Sequence, residues 1–203
     1  MRALLAHPRV YSLFRRLVGR DTARAVYARE HLRLQPGQRV LDLGCGPADI
    51  LDFLPPVHYV GYDINPRYIE RARRRFDARG EFHCAPITEK ILLEKPFDVV
   101  LAHGVLHHLD DAAARVLFRV ARRALTPGGR LVTFDGCLAA GQSPLARLAL
   151  ALDRGRHVRS REAYERLARS EFGEVKCVLR HDLIRIPYTH LIMECGRATP
   201  LRS

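Results

Sequence analysis

Between Arg39 and Phe134, apolar runs of strand length alternate with stretches whose apolar residues recur at helical spacing. That alternation predicts a parallel sheet with helices on both faces. The first strand is read at Arg39-Val-Leu-Asp-Leu43, entered from Pro36-Gly37, and the second at Val57-His-Tyr-Val-Gly-Tyr62. Pro55-Pro56 separates the second strand from the short helix that the pair ends. A helix follows with Asn65 as N-cap, Pro66 in its first position and Gly80 as its C-terminal stop. Tyr68, Ile69, Ala72 and Phe76 form its apolar side, and Arg67, Arg71, Arg74 and Arg75 its solvated face. Phe82-His-Cys84 is a third strand, and Phe97-Asp-Val-Val-Leu-Ala102, apolar on both faces, a fourth. A long helix runs from Asp110-Asp111 to Leu125, and Thr126-Pro-Gly-Gly129 turns the chain into a fifth strand, Arg130-Leu-Val-Thr-Phe134.

Beyond Asp135 the pattern changes. Helices are expected over 144–152 and over 160–172, the latter capped by Ser160. Strands follow over 174–179 and 186–195, close enough in sequence to pair antiparallel at the sheet edge. Residues 3–34 read as two helices packed on the sheet, with Val10, Phe14, Leu17 and Val18 along one side of the first. There are no repeats and no linker, so the chain reads as one domain: an N-terminal helical cap over 1–35, a binding core over 36–136, and a segment over 137–203 that adds the terminal antiparallel strands.

Asp42-Leu-Gly-Cys-Gly46 follows the first strand directly, where an open parallel sheet places its ligands. Glycines there let the backbone turn sharply and approach a ligand. A dinucleotide fingerprint requires a third glycine at position 49, which is Asp here. Two carboxylates beside the loop would repel a pyrophosphate but suit a ligand carrying an ammonium and a sulfonium, S-adenosyl-L-methionine. Asp63, at the end of the second strand, stands where a ribose-binding carboxylate is expected.

The stretches Val40-Leu-Asp-Leu-Gly-Cys-Gly-Pro47, Val60-Gly-Tyr-Asp63, Phe97-Asp-Val-Val-Leu-Ala-His-Gly-Val-Leu-His-His-Leu-Asp110 and Leu125-Thr-Pro-Gly-Gly-Arg130 together resemble the class I S-adenosylmethionine-dependent methyltransferases, as a small stand-alone bacterial-type member. The resemblance implies an α/β fold with a seven-stranded, mostly parallel Rossmann-like sheet, an antiparallel last strand and helices on both faces. It implies that Asp42, Gly44, Cys45 and Gly46 surround the methionine part of the cofactor, that Asp63 holds the ribose and Ile64 packs on the adenine, and that Ile87, His103 and Gly104 complete the cofactor site. One departure stands out. After the third strand the family often carries an acid that accepts from the adenine amino group, whereas this chain has Ala85-Pro86-Ile87, leaving backbone carbonyls or Glu89 for that contact.

Methyl transfer needs alignment above all, and a base only where the acceptor must lose a proton. His107, then His103 and His108, are the candidate bases, set against a packing role for each. A zinc site from His103 and His107 is disfavoured because Gly104 interrupts the run and no third ligand is evident. Arg154, Arg156 and Arg159 form a cluster suited to a carboxylate or phosphate. Tyr188 and His190 share one side of the last strand as core or pocket wall, and Tyr11 on the first helix joins the candidate substrate-binding residues.

Composition narrows the partners. The 203 residues are 47% hydrophobic and 28% charged, enough for one stable core. Five scattered cysteines suggest neither a disulfide framework nor a zinc ribbon, and His7-Pro8-Arg9 interrupts the N-terminus too early for a signal peptide. The cytoplasm is therefore the expected compartment. The net charge of +12 points to an anionic partner, yet all but three of the 34 basic residues are arginines spread over most helices, without the aromatic-basic interleaving of RNA-binding surfaces. The expected acceptor is a hydroxyl, amine or carboxylate of a small polar, anionic metabolite such as a sugar or glycan precursor. An RNA- or protein-directed methyltransferase, a lipid or quinone methyltransferase touching the membrane through a basic first helix, and a non-catalytic regulatory protein are the alternatives. No transmembrane segment is expected, and no oligomeric state is implied.

Overall fold

The structure is a computed structural model that describes residues 20–89, 91, 95–152 and 155–196. Its strands are β1 (Arg39–Leu43), β2 (His58–Asp63), β3 (Gly80–Cys84), β4 (Phe97–His103), β5 (Leu125–Leu138), β6 (Arg159–Ser160), β7 (Glu174–Arg180) and β8 (His190–Gly196). The helices are α1 (Arg20–Tyr27), α2 (Pro66–Phe76), α3 (Asp111–Ala124), α4 (Pro144–Leu152) and α5 (Arg161–Arg169). The main sheet runs β3-β2-β1-β4-β5-β8-β7, and the two-residue β6 pairs with the far end of β5. Strands β1 to β5 are parallel, while β8 is antiparallel to both neighbours. The chain therefore leaves β1 toward β3 on one side and returns to β4 on the other. The loops that follow β1 and β4 diverge, which opens a crevice at their carboxyl ends.

Each sheet face has its own core. Leu41, Leu43, Val100 and Leu131 meet Leu117 and Phe118 of α3 and Leu167 of α5. Val40, Tyr59, Leu101, Val132 and Phe134 meet Tyr27 of α1 and Ile69 and Phe76 of α2. The Tyr27 hydroxyl donates to the Val132 carbonyl at 3.1 Å, which fixes α1 across the sheet.

The sequence-predicted caps form, Asn65 accepting from the Arg67 amide and Ser160 from Ala163, and Asp110 caps α3 by accepting from Ala113. Other expectations change. Helix α2 ends at Phe76, and Gly80 is extended as the first residue of β3 instead of a helix stop. Tyr68 is exposed, outside the apolar face formed by Ile69, Ala72 and Phe76. Strand β5 already begins at Leu125, because Phe97 pairs with Leu125 before a register shift absorbs the glycine turn. Strand β8 begins at His190 and not at 186: residues 181–187 bend, and Pro187 has no amide to enter a ladder. Val10, Tyr11, Phe14, Leu17 and Val18 lie outside the described residues.

Candidate active site

Around the glycine loop the geometry is mostly backbone. Gly44 and Gly46 take φ of +84° and +55°, the left-handed region that glycine enters without strain. A side chain on Gly44 would also meet Val105 Cγ2 at 2.5 Å. The Gly44 and Cys45 amides both donate to the Tyr62 carbonyl, at 2.8 and 2.9 Å, so the loop is tied to the end of β2. Asp63 Oδ2 accepts from the Gly46 amide at 2.9 Å and Oδ1 from the Asn65 amide at 2.8 Å. Its carboxylate thus caps the turn before α2, and a carboxylate still has lone pairs left for a ligand's hydroxyls. Ile64 beside it is 73% exposed, an uncovered apolar side chain at the rim of the crevice. Asp42 lies beneath the loop, buried, with Oδ2 accepting from the Tyr59 hydroxyl at 2.6 Å. Cys45 is buried, and burial raises its thiol far above the usual range, leaving it unreactive.

The three candidate histidines do not gather in one place. His103 belongs to the α1 face, its ring stacked on Phe134 at 4.6 Å and edge-on to Tyr27 at 5.1 Å. His108 is exposed. His107 is buried on the other face, with Nδ1 2.8 Å from Asp135 Oδ1 and its own amide donating to the same oxygen at 3.2 Å. Burial raises the Asp135 carboxyl, and the hydrogen bonds from His107 oppose that rise. The ring runs toward Gly104, whose Cβ position would be 3.8 Å from His107 Cε1. Gly155 lies flat against it, since a side chain there would overlap His107 Cδ2.

The arginine cluster changes meaning. Arg159 was expected to face an acceptor, yet its guanidinium binds Asp111 Oδ1 at 2.8 Å and the carbonyls of Leu106, Leu109 and His157 at 2.7 to 3.0 Å. A fork whose donors reach across to Leu106, Leu109 and Asp111 straps the 155–159 segment over His107. Arg156 is exposed, and Arg154 lies outside the described residues. His190 packs in the core against Phe134 at 4.6 Å. Tyr188 packs on His190 and walls a cavity of about 330 Å³ shared with Gln142, Ser143, His181 and Thr189. A second groove, of about 450 Å³, runs past Ala28, Arg33, Gln35 and Pro55 at the opposite ends of the strands, away from this chemistry.

Residues 41–131, from β1 into β5, match the family model described as a methyltransferase domain. Over this segment the chain is similar to the class I S-adenosylmethionine-dependent methyltransferases. It is 31% identical over 158 residues to a phosphoethanolamine N-methyltransferase of Triticum aestivum, covering 74% of this chain and 31% of that protein. It is 38% identical over 112 residues to the 27-O-demethylrifamycin SV methyltransferase of Amycolatopsis mediterranei, covering 51% of this chain and 40% of that one. The chain therefore spans about a third of the length of the curated relatives it matches. A phosphoethanolamine N-methyltransferase 2 of Haemonchus contortus, solved with phosphomonomethylethanolamine and S-adenosylhomocysteine, shares the fold at a TM-score of 0.69 and 17% identity, over 88% of this chain and 53% of that one.

The residues present fit the cofactor of this methyltransferase family. Asp42 Oδ1 is buried without a hydrogen-bond partner among the described residues, Asp63 keeps acceptor capacity, and Ile64 offers an uncovered apolar face. Ile87 is partly buried against the core beneath α3. Glu89 does not serve the adenine: its carboxylate accepts from Arg119 Nε at 2.8 Å and its carbonyl from Arg123, so it faces α3. Two residues that sequence reasoning missed, Asp135 and Tyr59, are the buried partners of His107 and Asp42. Asp135 had a signal, since an acid ending an otherwise apolar strand calls for a partner. Tyr59 had none, because an aromatic in a strand reads as core.

Proposed function

We propose that this protein transfers a methyl group from S-adenosylmethionine to a hydroxyl, amine or carboxylate of a small polar, anionic metabolite, with His107 as general base held by Asp135. The segment over 36–136 would hold the donor and that over 137–203 would shape the acceptor side. The observation that carries the reading is the 2.8 Å contact between His107 Nδ1 and Asp135 Oδ1, at the carboxyl ends of the strands and beside Gly104. With Asp135 ionised, Nδ1–H donates to it, and the lone pair falls on Nε2, the nitrogen able to take a proton. Bound S-adenosylmethionine supplies an electrophilic methyl group. Asp63 and the glycine loop orient that ligand, and the 155–159 strap keeps water from the imidazole. The wheat relative's name makes phosphoethanolamine the first acceptor to try, and the exposed Arg156 is the described member of the arginine cluster left to meet its phosphate. Among the described residues no helix is long and apolar enough to cross a membrane, and five unpaired cysteines favour the reducing cytoplasm.

The test is the rate of S-adenosylhomocysteine formation with phosphoethanolamine and a panel of small hydroxyl, amine and carboxylate compounds. On an accepted compound, His107→Asn should lower kcat at least about 100-fold and remove the rise of rate with pH, with little change in donor affinity. A His107→Asn enzyme retaining near wild-type kcat would leave alignment alone as the source of catalysis.

A further inference from the structure

Helix α4 breaks the pattern of the other surface helices. Helices α2, α3 and α5 bury an apolar stripe and turn charged side chains, mostly arginines, to solvent. Helix α4 has one charged residue, Arg147, and is otherwise alanine, leucine and its opening Pro144. Its Ala146 and Leu150 are buried, Leu150 close against Gly136 near the end of β5. The outward side holds Pro144, Leu145, Arg147, Leu148 and Ala151, with Leu145 65% and Leu148 54% exposed. The bend over 181–187 stands beside this helix, since both segments line the cavity that Tyr188 walls. It adds exposed Arg185, Ile186 and Pro187. With Leu138, where β5 ends, four of the seven large exposed apolar side chains among the described residues come from the segments around this cavity. Scattered exposed apolar residues need no explanation, but a concentration of this kind marks a contact surface.

We propose that α4 and the 181–187 bend form a docking face for an anionic lipid bilayer, with Leu145, Leu148 and Ile186 entering the headgroup layer and Arg147 and Arg185 meeting lipid phosphates. Charge selects this occupant. Arg147 and Arg185 are exposed and no described acid pairs with either, while Asp182, the acid on the bend, is held by Arg180 at 2.8 and 2.9 Å. A second copy docked across a two-fold axis would set these arginines against their own copies, and the net charge of +12 adds to that repulsion. A bilayer containing anionic lipids answers the leucines and the arginines together. An arginine can keep its stem in the apolar layer and its guanidinium at the phosphates. At nine residues α4 is roughly 13 Å long, too short to cross a bilayer, so it lies along the surface. Docking sets the mouth of the Tyr188 cavity against the headgroups. The face is independent of His107 and of the acceptor's identity, so it stands or falls separately from the proposed reaction.

Co-sedimentation of the full chain with vesicles of two parts phosphatidylcholine to one part phosphatidylglycerol, against vesicles of phosphatidylcholine alone, tests this. The protein should partition onto the anionic vesicles at least about tenfold more strongly than onto the neutral ones, and less as salt rises. Leu145→Ser with Leu148→Ser should lower partitioning at least about tenfold, because two leucines lose their burial in the bilayer. Both are exposed in the free protein, so the double variant keeps the fold, which circular dichroism checks. Arg147→Glu with Arg185→Glu should lower partitioning at least about tenfold as well, whereas Arg67→Glu with Arg71→Glu on α2, an equal change of net charge, should lower it by less than about threefold. Absence of binding to the anionic vesicles, equal binding to the neutral ones, undiminished binding by the leucine variant, or equal losses in the two arginine pairs would overturn the proposal. A dimer in light scattering that the leucine variant abolishes, with vesicle binding left intact, would overturn it in favour of a second copy.

Discussion

The ends of β1 and β2 and the ends of β4 and β5 face the same crevice but are assembled differently. At the first pair, the Gly44, Cys45 and Gly46 amides, the Tyr62 carbonyl and the Asp63 carboxylate interlock within about one strand–loop–strand unit of sequence. At the second pair, a histidine is set by an acid 28 residues further on, and that arrangement is covered by a strap whose clasp, Arg159, is 48 residues beyond its partner Asp111. The glycine-loop end thus depends on backbone geometry that one unit specifies. The His107 end depends on side chains that meet only after the sheet, α3 and the segment before α5 have packed. A change at one end should accordingly leave the other nearly intact, and this independence can be measured.

The largest effect is expected at the donor end. Asp63→Ala removes an acceptor for the ligand and the cap on two backbone amides, and should weaken S-adenosylmethionine binding by roughly 10- to 150-fold, about 1.5–3 kcal/mol, in calorimetry. If donor affinity in a folded Asp63→Ala protein equals that of the wild type, Asp63 is a structural cap alone and the donor end loses its ribose contact. Arg159→Ala comes next and probes the other end. Loss of the clasp on Asp111 and the three carbonyls should lower stability to urea by about 1–3 kcal/mol, and S-adenosylhomocysteine affinity should move by less than about twofold. A large fall in ligand affinity with unchanged stability would show the two ends to be one unit. The smallest effect is expected for Glu89→Gln. Its side chain is exposed and bound to Arg119, so donor affinity should change by less than about 1.5-fold, a result that leaves backbone carbonyls for the adenine contact.

Asp42 also links stability to pH. Its folded-state carboxyl is raised to about 6 from the ordinary 3.8, so the folded protein holds that proton more tightly than the unfolded chain does. The sign follows: this group favours the fold at acid pH, and that contribution declines as pH rises from about 4 to 6. Without ligand at pH 7.5, Asp42→Asn should therefore raise resistance to urea, by about 1–3 kcal/mol at most. A destabilised Asp42→Asn chain would show that the Asp42–Tyr59 hydrogen bond outweighs the buried charge.

What could be read from the sequence shares a physical basis. Strand β1, the loop at Asp42-Leu-Gly-Cys-Gly46, Asp63 at the end of β2, and the caps Asn65 and Ser160 are set by interactions between near neighbours: a hydrophobic run, a backbone turn that only glycine takes easily, a side-chain oxygen over the next turn's amides. The misplaced boundaries are those where a neighbouring strand outvoted local preference. Leu125 joined β5 because Phe97 offered it a pairing partner, and β8 started late because the bent 181–187 segment intervenes before it.

The acceptor end lay beyond such local rules. Nothing near His107 in sequence tells it from His103 or His108. The alternation of β4 turned His103 toward α1, the short turn after it carried His107 to the opposite face, and β5 brought Asp135 to meet it. Likewise Arg159 has the composition of an anion site and the geometry of a clasp, because a guanidinium binds whatever acceptors converge on it, and here those are carbonyls exposed where the turn before α3 ends. Short-range chemistry sufficed to specify the glycine loop. Long-range packing chose, among three histidines, which one would meet Asp135.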